Sequence, residues 1–229
     1  MKVLVACEFS GTVRDAFIKY GNDAVSCDLL PSLSDKGRHI QGDVLDAIKS
    51  ERWDLMIAHP PCTYLSVVGN RAMKEQGDAR LKERDAAFKF ALTLFNAPIP
   101  KICMENPVGY LNTHFRKPDQ IIHPWMFGDD IMKRTCLWLK NLPKLYWSVQ
   151  YAQKPKPIYY RNGTPINWFE ACRGSQNGLK RWQVRSKTFN GIADAMALQW
   201  GTEQTGYFFE QYDSHDDPKI QNFCAGDEV

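Results

Sequence analysis

The stretch KVLVACEFSGTVRDAFIKYGNDAVSCDLL, residues 2–30, carries two kinds of periodicity in one short run. VLVAC at 3–7 is apolar without a break, the pattern of a strand buried on both faces. EFSGTVRDAFIKYG then opens as a loop and becomes an amphipathic helix ending at Gly21. DAVSCDLL, residues 23–30, returns to strand character and carries Asp28 near its carboxyl end. Strand, loop, helix and strand form a unit whose two strands run parallel.

The same alternation continues outward. HIQGDVLD (39–46) reads as a short third strand and a turn bearing Asp43, and WDLMIAHPPC (53–62) as a fourth strand stopped by two prolines. DARLKERDAAFKFALTLFNA (78–97) predicts a long one-faced helix, and KICMENP (101–107) a strand ending at Glu105-Asn106-Pro107. RTCLWL (134–139) reads as a further strand, and SKTFNGIADAMALQWG (186–201) as a capped helix. The fold class expected is α/β, a doubly wound, mostly parallel, Rossmann-like sheet with helices on both faces and a small irregular or β-rich insertion. In such sheets ligands sit outside the carboxyl ends of the strands. Residues 1–139 and 186–213 make the main domain, 140–185 the insertion, and 214–229 a polar, poorly ordered tail.

The bulk numbers suit one globular domain: 229 residues, 44% apolar and 24% charged. No apolar run approaches the roughly 20 residues that span a bilayer, and Glu8 interrupts the apolar N-terminus too early for a secretory signal. A cytoplasmic protein without a membrane partner is expected. The seven cysteines are dispersed and form no C-x-x-C pair, which argues for reduced thiols and against zinc or a disulfide framework. The net charge of +3 conceals an asymmetry. Between Leu139 and Lys187 ten Lys/Arg stand against Glu170 alone, which leaves 19 basic and 25 acidic residues elsewhere. A basic block of this kind, interleaved with Tyr146, Trp147, Tyr151, Tyr159, Tyr160, Trp168, Phe169 and Trp182, is suited to a polyanion with stackable bases.

Two strand ends carry residues capable of chemistry. Pro60 and Pro61 fix the backbone before Cys62 and hold its thiol at a loop mouth, where a thiolate can meet a substrate. Glu105 reaches the end of the adjacent strand, and a carboxyl beside a thiol suits protonation of a ring nitrogen while carbon is attacked.

In this order the motifs resemble the DNA (cytosine-5)-methyltransferases, over residues 1–139 and 186–201. Pro61-Cys62 is similar to that family's nucleophile loop and Glu105-Asn106 to its Glu-Asn dipeptide, with Pro107 where many members carry valine. Phe9-Ser10-Gly11 keeps half of the family's Phe-x-Gly-x-Gly loop, and the basic insertion stands where the family carries its target-recognition region. The resemblance implies S-adenosylmethionine as cofactor. It would be bound around Glu8, Phe9, Ser10, Gly11, Asp28 (ribose), Asp43 (adenine), Pro60 and Asn190. It also implies duplex DNA as partner, with the target cytosine flipped out, held by Arg71, Arg80, Lys154, Lys156, Arg161, Arg173, Lys180, Arg181 and Arg185, and no metal. The family's Gln-x-Arg-x-Arg strand is absent in that form, and Arg134 or Lys133 stands nearest to it as the base-orienting group.

The implied reaction is attack of the Cys62 thiolate at C6 of cytosine, with Glu105 on N3, so that C5 can take a methyl group. Burial is expected to raise the Glu105 carboxyl so that it can donate. The same chemistry on RNA or a free nucleotide, and a catalytically idle nucleic-acid-binding relative, are the alternatives. An exocyclic amino-methyltransferase is disfavoured, because His59-Pro60-Pro61-Cys62 has neither the acid or amide nor the aromatic of that loop.

Overall fold

The computed structural model describes residues 1–67, 70–147, 159–166, 172 and 178–202, with the backbone alone described at 70–76, 159–161 and 165–166. In chain order the elements are β1 (Lys2–Ala6), α1 (Thr12–Lys19), β2 (Asp23–Asp28), β3 (His39–Gln41), α2 (Val44–Ser50), β4 (Leu55–Ala58) and α3 (Asn70–Phe95). There follow β5 (Lys101–Pro107), α4 (Tyr110–His114), β6 (Gln120–Ile122), a 3-10 turn (Pro124–Phe127) and β7 (Thr135–Lys140). A hairpin of β8 (Tyr159–Arg161) and β9 (Thr164–Ile166) precedes α5 (Arg181–Ser186) and α6 (Asn190–Gly201).

One seven-stranded sheet runs in the order β3-β2-β1-β4-β5-β7-β6. Its first five strands are parallel, in the registers Ala6↔Cys27, Asp28↔Gln41, Ala6↔Ala58 and Ala58↔Met104. The sheet is thus α/β, mixed and mostly parallel. The strand at 135–140 pairs antiparallel with β5, and β6, a strand not expected from the sequence, pairs antiparallel with it in turn. Strand direction at a sheet edge is set by how the chain returns, here through the 3-10 turn, and leaves no mark in the apolar pattern of RTCLWL.

Each central strand divides its side chains between two cores. Val3, Val5, Leu55 and Ile57 pack with Val13 and Phe17 of α1 and Ile192, Met196 and Trp200 of α6. Leu4, Ala6, Met56, Ala58 and Ile102 face the other way, onto Val44 and Ala47 of α2 and Leu94 of α3. Burial on both faces explains why these strands are unbroken apolar runs. The strand order turns back between β1 and β4, since β2 and β3 lie on one side of β1 and β4 and β5 on the other. A crevice therefore opens there, above the carboxyl ends.

Three local details refine the expectations. Asp43 follows β3 as expected, but its carboxylate accepts from the Leu45 N–H at 2.9 Å and caps α2, a helix missing from the sequence reading. The long helix runs on from residue 78 as expected, and a shorter helical stretch from Asn70 precedes it, set off at Gly77, which takes φ +56°. α6 has no capping side chain of its own: Phe189 is at its N-cap, and the Asp129 carboxylate accepts from the Gly191 N–H at 3.2 Å from across the fold. Residues 203–229, including the expected tail, lie outside the described residues, as does most of the insertion beyond its hairpin. No helix among the described residues is long and apolar enough to cross a membrane.

Candidate active site

The loop after β4 is fixed from both sides. Pro60 is buried, and its carbonyl accepts from the buried Asn106 Nδ2 at 2.8 Å, so the end of β5 clamps the two-proline turn. Beyond it, the Cys62 carbonyl accepts from the N–H groups of Leu65 (3.1 Å) and Ser66 (2.9 Å), and Leu65 is buried. Cys62 itself is exposed at this anchored turn. Its thiol is pushed above the ordinary range, first by desolvation among crowded neighbours and then by the Glu105 charge, while Lys133 and Arg185 act in the opposite sense.

Glu105 comes to the same place because Ala58 pairs with Met104, which sets residues 59 and 105 side by side. The His59 Nδ1 lies 2.9 Å from the Glu105 Oε2, and both side chains are largely buried. Burial pushes the carboxyl up, as expected from the sequence. The hydrogen bond and charge of His59, with Lys133, more than offset it, so the carboxyl lies below its usual range. The expectation of a raised, protonated Glu105 is therefore corrected: in this state it is a carboxylate, and Nδ1–H of His59 donates to it. His59 was not singled out in the sequence; its one signal was a histidine at a strand end directly before the prolines.

Of the two candidates for the third group, Lys133 is the one whose charge reaches both Cys62 and Glu105. Its Nζ donates to the Arg185 carbonyl at 3.4 Å and lies 5.6 Å from the centre of the Phe189 ring. Arg134 is exposed, and its charge acts on Cys136 instead. Arg185 belongs with this cluster too, since its charge bears on Cys62 and Cys172.

Across the crevice, the loop after β1 begins with Cys7 in the left-handed region at φ +60° and ends with Gly11 at φ +75°. A side chain at Gly11 would be strained, and its Cβ would come within 2.8 Å of the Ser34 Cβ. The Glu8 carboxylate is taken up by the chain: Oε1 accepts from Val13 N–H (2.7 Å) and Ser10 Oγ (3.0 Å), and Oε2 from Arg14 N–H (3.2 Å). It therefore serves the start of α1. Phe9 is buried, with the ring of Trp182 on α5 5.9 Å away. Asp28 accepts from Leu30 N–H at 2.9 Å, and its charge and that of Asp43 both reach the partly buried Cys7 thiol. The two acids thus flank the end of β1. Asn190 is exposed at the first turn of α6.

Arg14, also missed, is wholly buried. Its guanidinium donates to Asp15 Oδ1 (2.8 Å), Ser26 Oγ (3.1 Å), Ser32 Oγ (3.3 Å) and the Ser34 carbonyl (3.1 Å), tying the loop after β2 to α1. Only the tertiary structure brings those acceptors together.

Among the residues expected to meet nucleic acid, the Arg80 guanidinium lies 4.7 Å from the centre of the Tyr64 ring, in the same loop as Cys62. Arg84 donates to the Tyr64 carbonyl at 3.0 Å. Lys180 and Arg181 are exposed at the start of α5. Lys154, Lys156 and Arg173, and the side chains of Arg71 and Arg161, lie outside the described residues. Among the described residues no group of three or more His, Cys, Asp or Glu could hold a metal ion. No protein-family model matches the chain, and no curated protein matches it.

Proposed function

We propose that the chain transfers a methyl group from S-adenosylmethionine to C5 of cytosine in DNA, through a covalent bond to Cys62. The observation that carries this reading is the convergence at the reversal point of the sheet. An exposed thiol on a clamped two-proline turn stands beside a buried carboxyl on the next strand, with the β1 loop and two acids across the crevice.

The residues around the β1 loop fit the cofactor's polar half. Asp28 and Asp43 each use one carboxylate oxygen on a backbone N–H, and the second oxygen has no protein partner among the described residues, which suits ribose and adenine donors. Left-handed backbone at Cys7 and Gly11 lets the loop curve close to a ligand. When bound, the cofactor supplies an electrophilic methyl group on a sulfonium.

The chain's own residues do the rest. Cys62 adds as thiolate to C6 of the ring, which makes C5 nucleophilic, and once C5 is methylated its proton is lost and the thiolate leaves. The Glu105 charge raises the Cys62 thiol, so a proton on that carboxyl, or its sharing with N3, lowers the barrier to thiolate formation. Lys133 and Arg185 favour the thiolate throughout. A base stacked in a duplex cannot bring C6 to the Cys62 thiol without leaving its stack, and Arg80, Lys180 and Arg181 would hold the backbone of an extruded nucleotide.

The test is transfer of label from methyl-labelled S-adenosylmethionine to duplex DNA, RNA and free cytidine nucleotides. Incorporation into DNA cytosine is expected, with Cys62→Ala bringing it to background. Transfer that survives Cys62→Ala would sink the covalent mechanism, and incorporation into RNA or nucleotide alone would move the substrate.

A further inference from the structure

At the carboxyl edge of the sheet, two buried side-chain atoms lack a hydrogen-bond partner among the described residues: His59 Nε2 and Asn106 Oδ1. They lie on either side of Glu105, one on the facing strand end and one next in sequence. The His59 side chain is 10% exposed, and its one hydrogen bond is to Glu105. An apolar residue here would leave the buried Glu105 carboxylate without this partner, so the histidine is tied to that carboxyl, while its Nε2 is left without a bond among the described residues.

Its effect falls on the carboxyl. Glu105 is 15% exposed, and His59 is its hydrogen-bond partner among the described side chains. By engaging Oε2, the imidazole stops rotation of the carboxyl and leaves Oε1, which has no protein partner among the described residues, as the oxygen open to a ligand. Because the pair spans two hydrogen-bonded strand ends, its geometry is rigid. Lys133 bears on Glu105 by charge, with its ammonium hydrogen bond directed to the Arg185 carbonyl.

We propose that His59 is the positioning residue for Glu105, holding Oε1 toward the ring nitrogen of the substrate base so that a proton taken up from solvent is shared between them. This rests on the reaction proposed above. The groups around Glu105 that share its electrostatics are Lys133 before β7, Cys62 in the β4 loop, Cys103 on its own strand and Cys136 on β7. Among the described side chains, His59 is the one hydrogen-bonded to it.

Two substitutions and two readouts test the proposal. His59→Phe keeps the ring and removes the donor, whereas His59→Asn restores an N–H near Nδ1 without a titrating charge. Loss of an oriented carboxyl is expected to lower kcat for methyl transfer about a hundredfold in His59→Phe, with KM for cofactor within about threefold of wild type. His59→Asn is expected to recover at least about tenfold of that loss. Independently of any reaction, the Glu105 carboxyl resonance, assigned by its absence in Glu105→Gln, should titrate at higher pH in His59→Phe than in wild type. A folded His59→Phe with kcat within about threefold of wild type, or an unmoved Glu105 titration, overturns the proposal. If wild type transfers methyl to no substrate while the titration moves as expected, the failure lies with the proposed reaction and the pairing stands.

Discussion

Cys62 sits under opposing influences, and their balance is measurable. Desolvation and the Glu105 charge raise the thiol, while Lys133 and Arg185 lower it. Removing Lys133 leaves the raising influences less opposed, so Lys133→Met should move the pH midpoint of Cys62 alkylation upward and slow iodoacetamide labelling at neutral pH. Arg134→Met should leave both unchanged, because the Arg134 charge acts on Cys136 instead. Equal effects of the two substitutions would return the third group to the ambiguity that the sequence left. At this scale the site was partly legible. Cys62 and Glu105 could be found because prolines and a strand end are local signals. The sign of the Glu105 shift could not, since it depends on His59 arriving from the neighbouring strand. A lone sequence does not encode which of two forces, burial or a partner, wins at a given carboxyl.

Among the elements, α6 depends on a glycine for its seat. A Cβ at Gly191 would lie 2.0 Å from the Phe127 carbonyl oxygen, and the Gly191 N–H donates to Asp129. Backbone meets backbone here, so neither side can give by rotating a side chain. Gly191→Ala should destabilise the fold by about 2 kcal/mol, in the range of overpacking substitutions, seen as a lowered denaturant midpoint with an unchanged slope. An unaltered midpoint would mean that α6 shifts freely on the 3-10 turn. The long apolar strands and α1, α3 and α6 were legible because burial imposes a period on their residues. α2 was hidden because Asp43, read as a strand-end acid, is its cap. The reversed direction of β7 was hidden because pairing across a sheet is a long-range choice: Glu105 opposite Leu137 leaves no trace in either segment alone.

For the whole molecule, the basic block between Leu139 and Lys187 is attached to a body of opposite net charge. α5, in the C-terminal part of the block, joins the two: the Trp182 ring contacts Phe9 of the β1 loop, the Lys133 ammonium reaches the Arg185 carbonyl, and Lys180 and Arg181 remain exposed. Phosphates held at this end of the block would thus lie within a few residues of both the thiol and the loop expected to bind cofactor. An acidic body would repel a duplex elsewhere on the surface, so in the proposed function charge would steer binding toward this segment. Affinity for duplex DNA should therefore fall with salt, the logarithmic slope being about −0.9 for each phosphate neutralised. Lys180→Gln with Arg181→Gln should reduce the magnitude of that slope by about one per contact removed and weaken binding to all sequences alike. The control is Lys19→Gln with Lys36→Gln, two lysines outside the block, which should leave the slope unchanged. Equal loss in both pairs would show that net charge governs binding. No loss in the first would move the nucleic-acid surface away from α5, and with it the link between backbone contacts and the Cys62 loop.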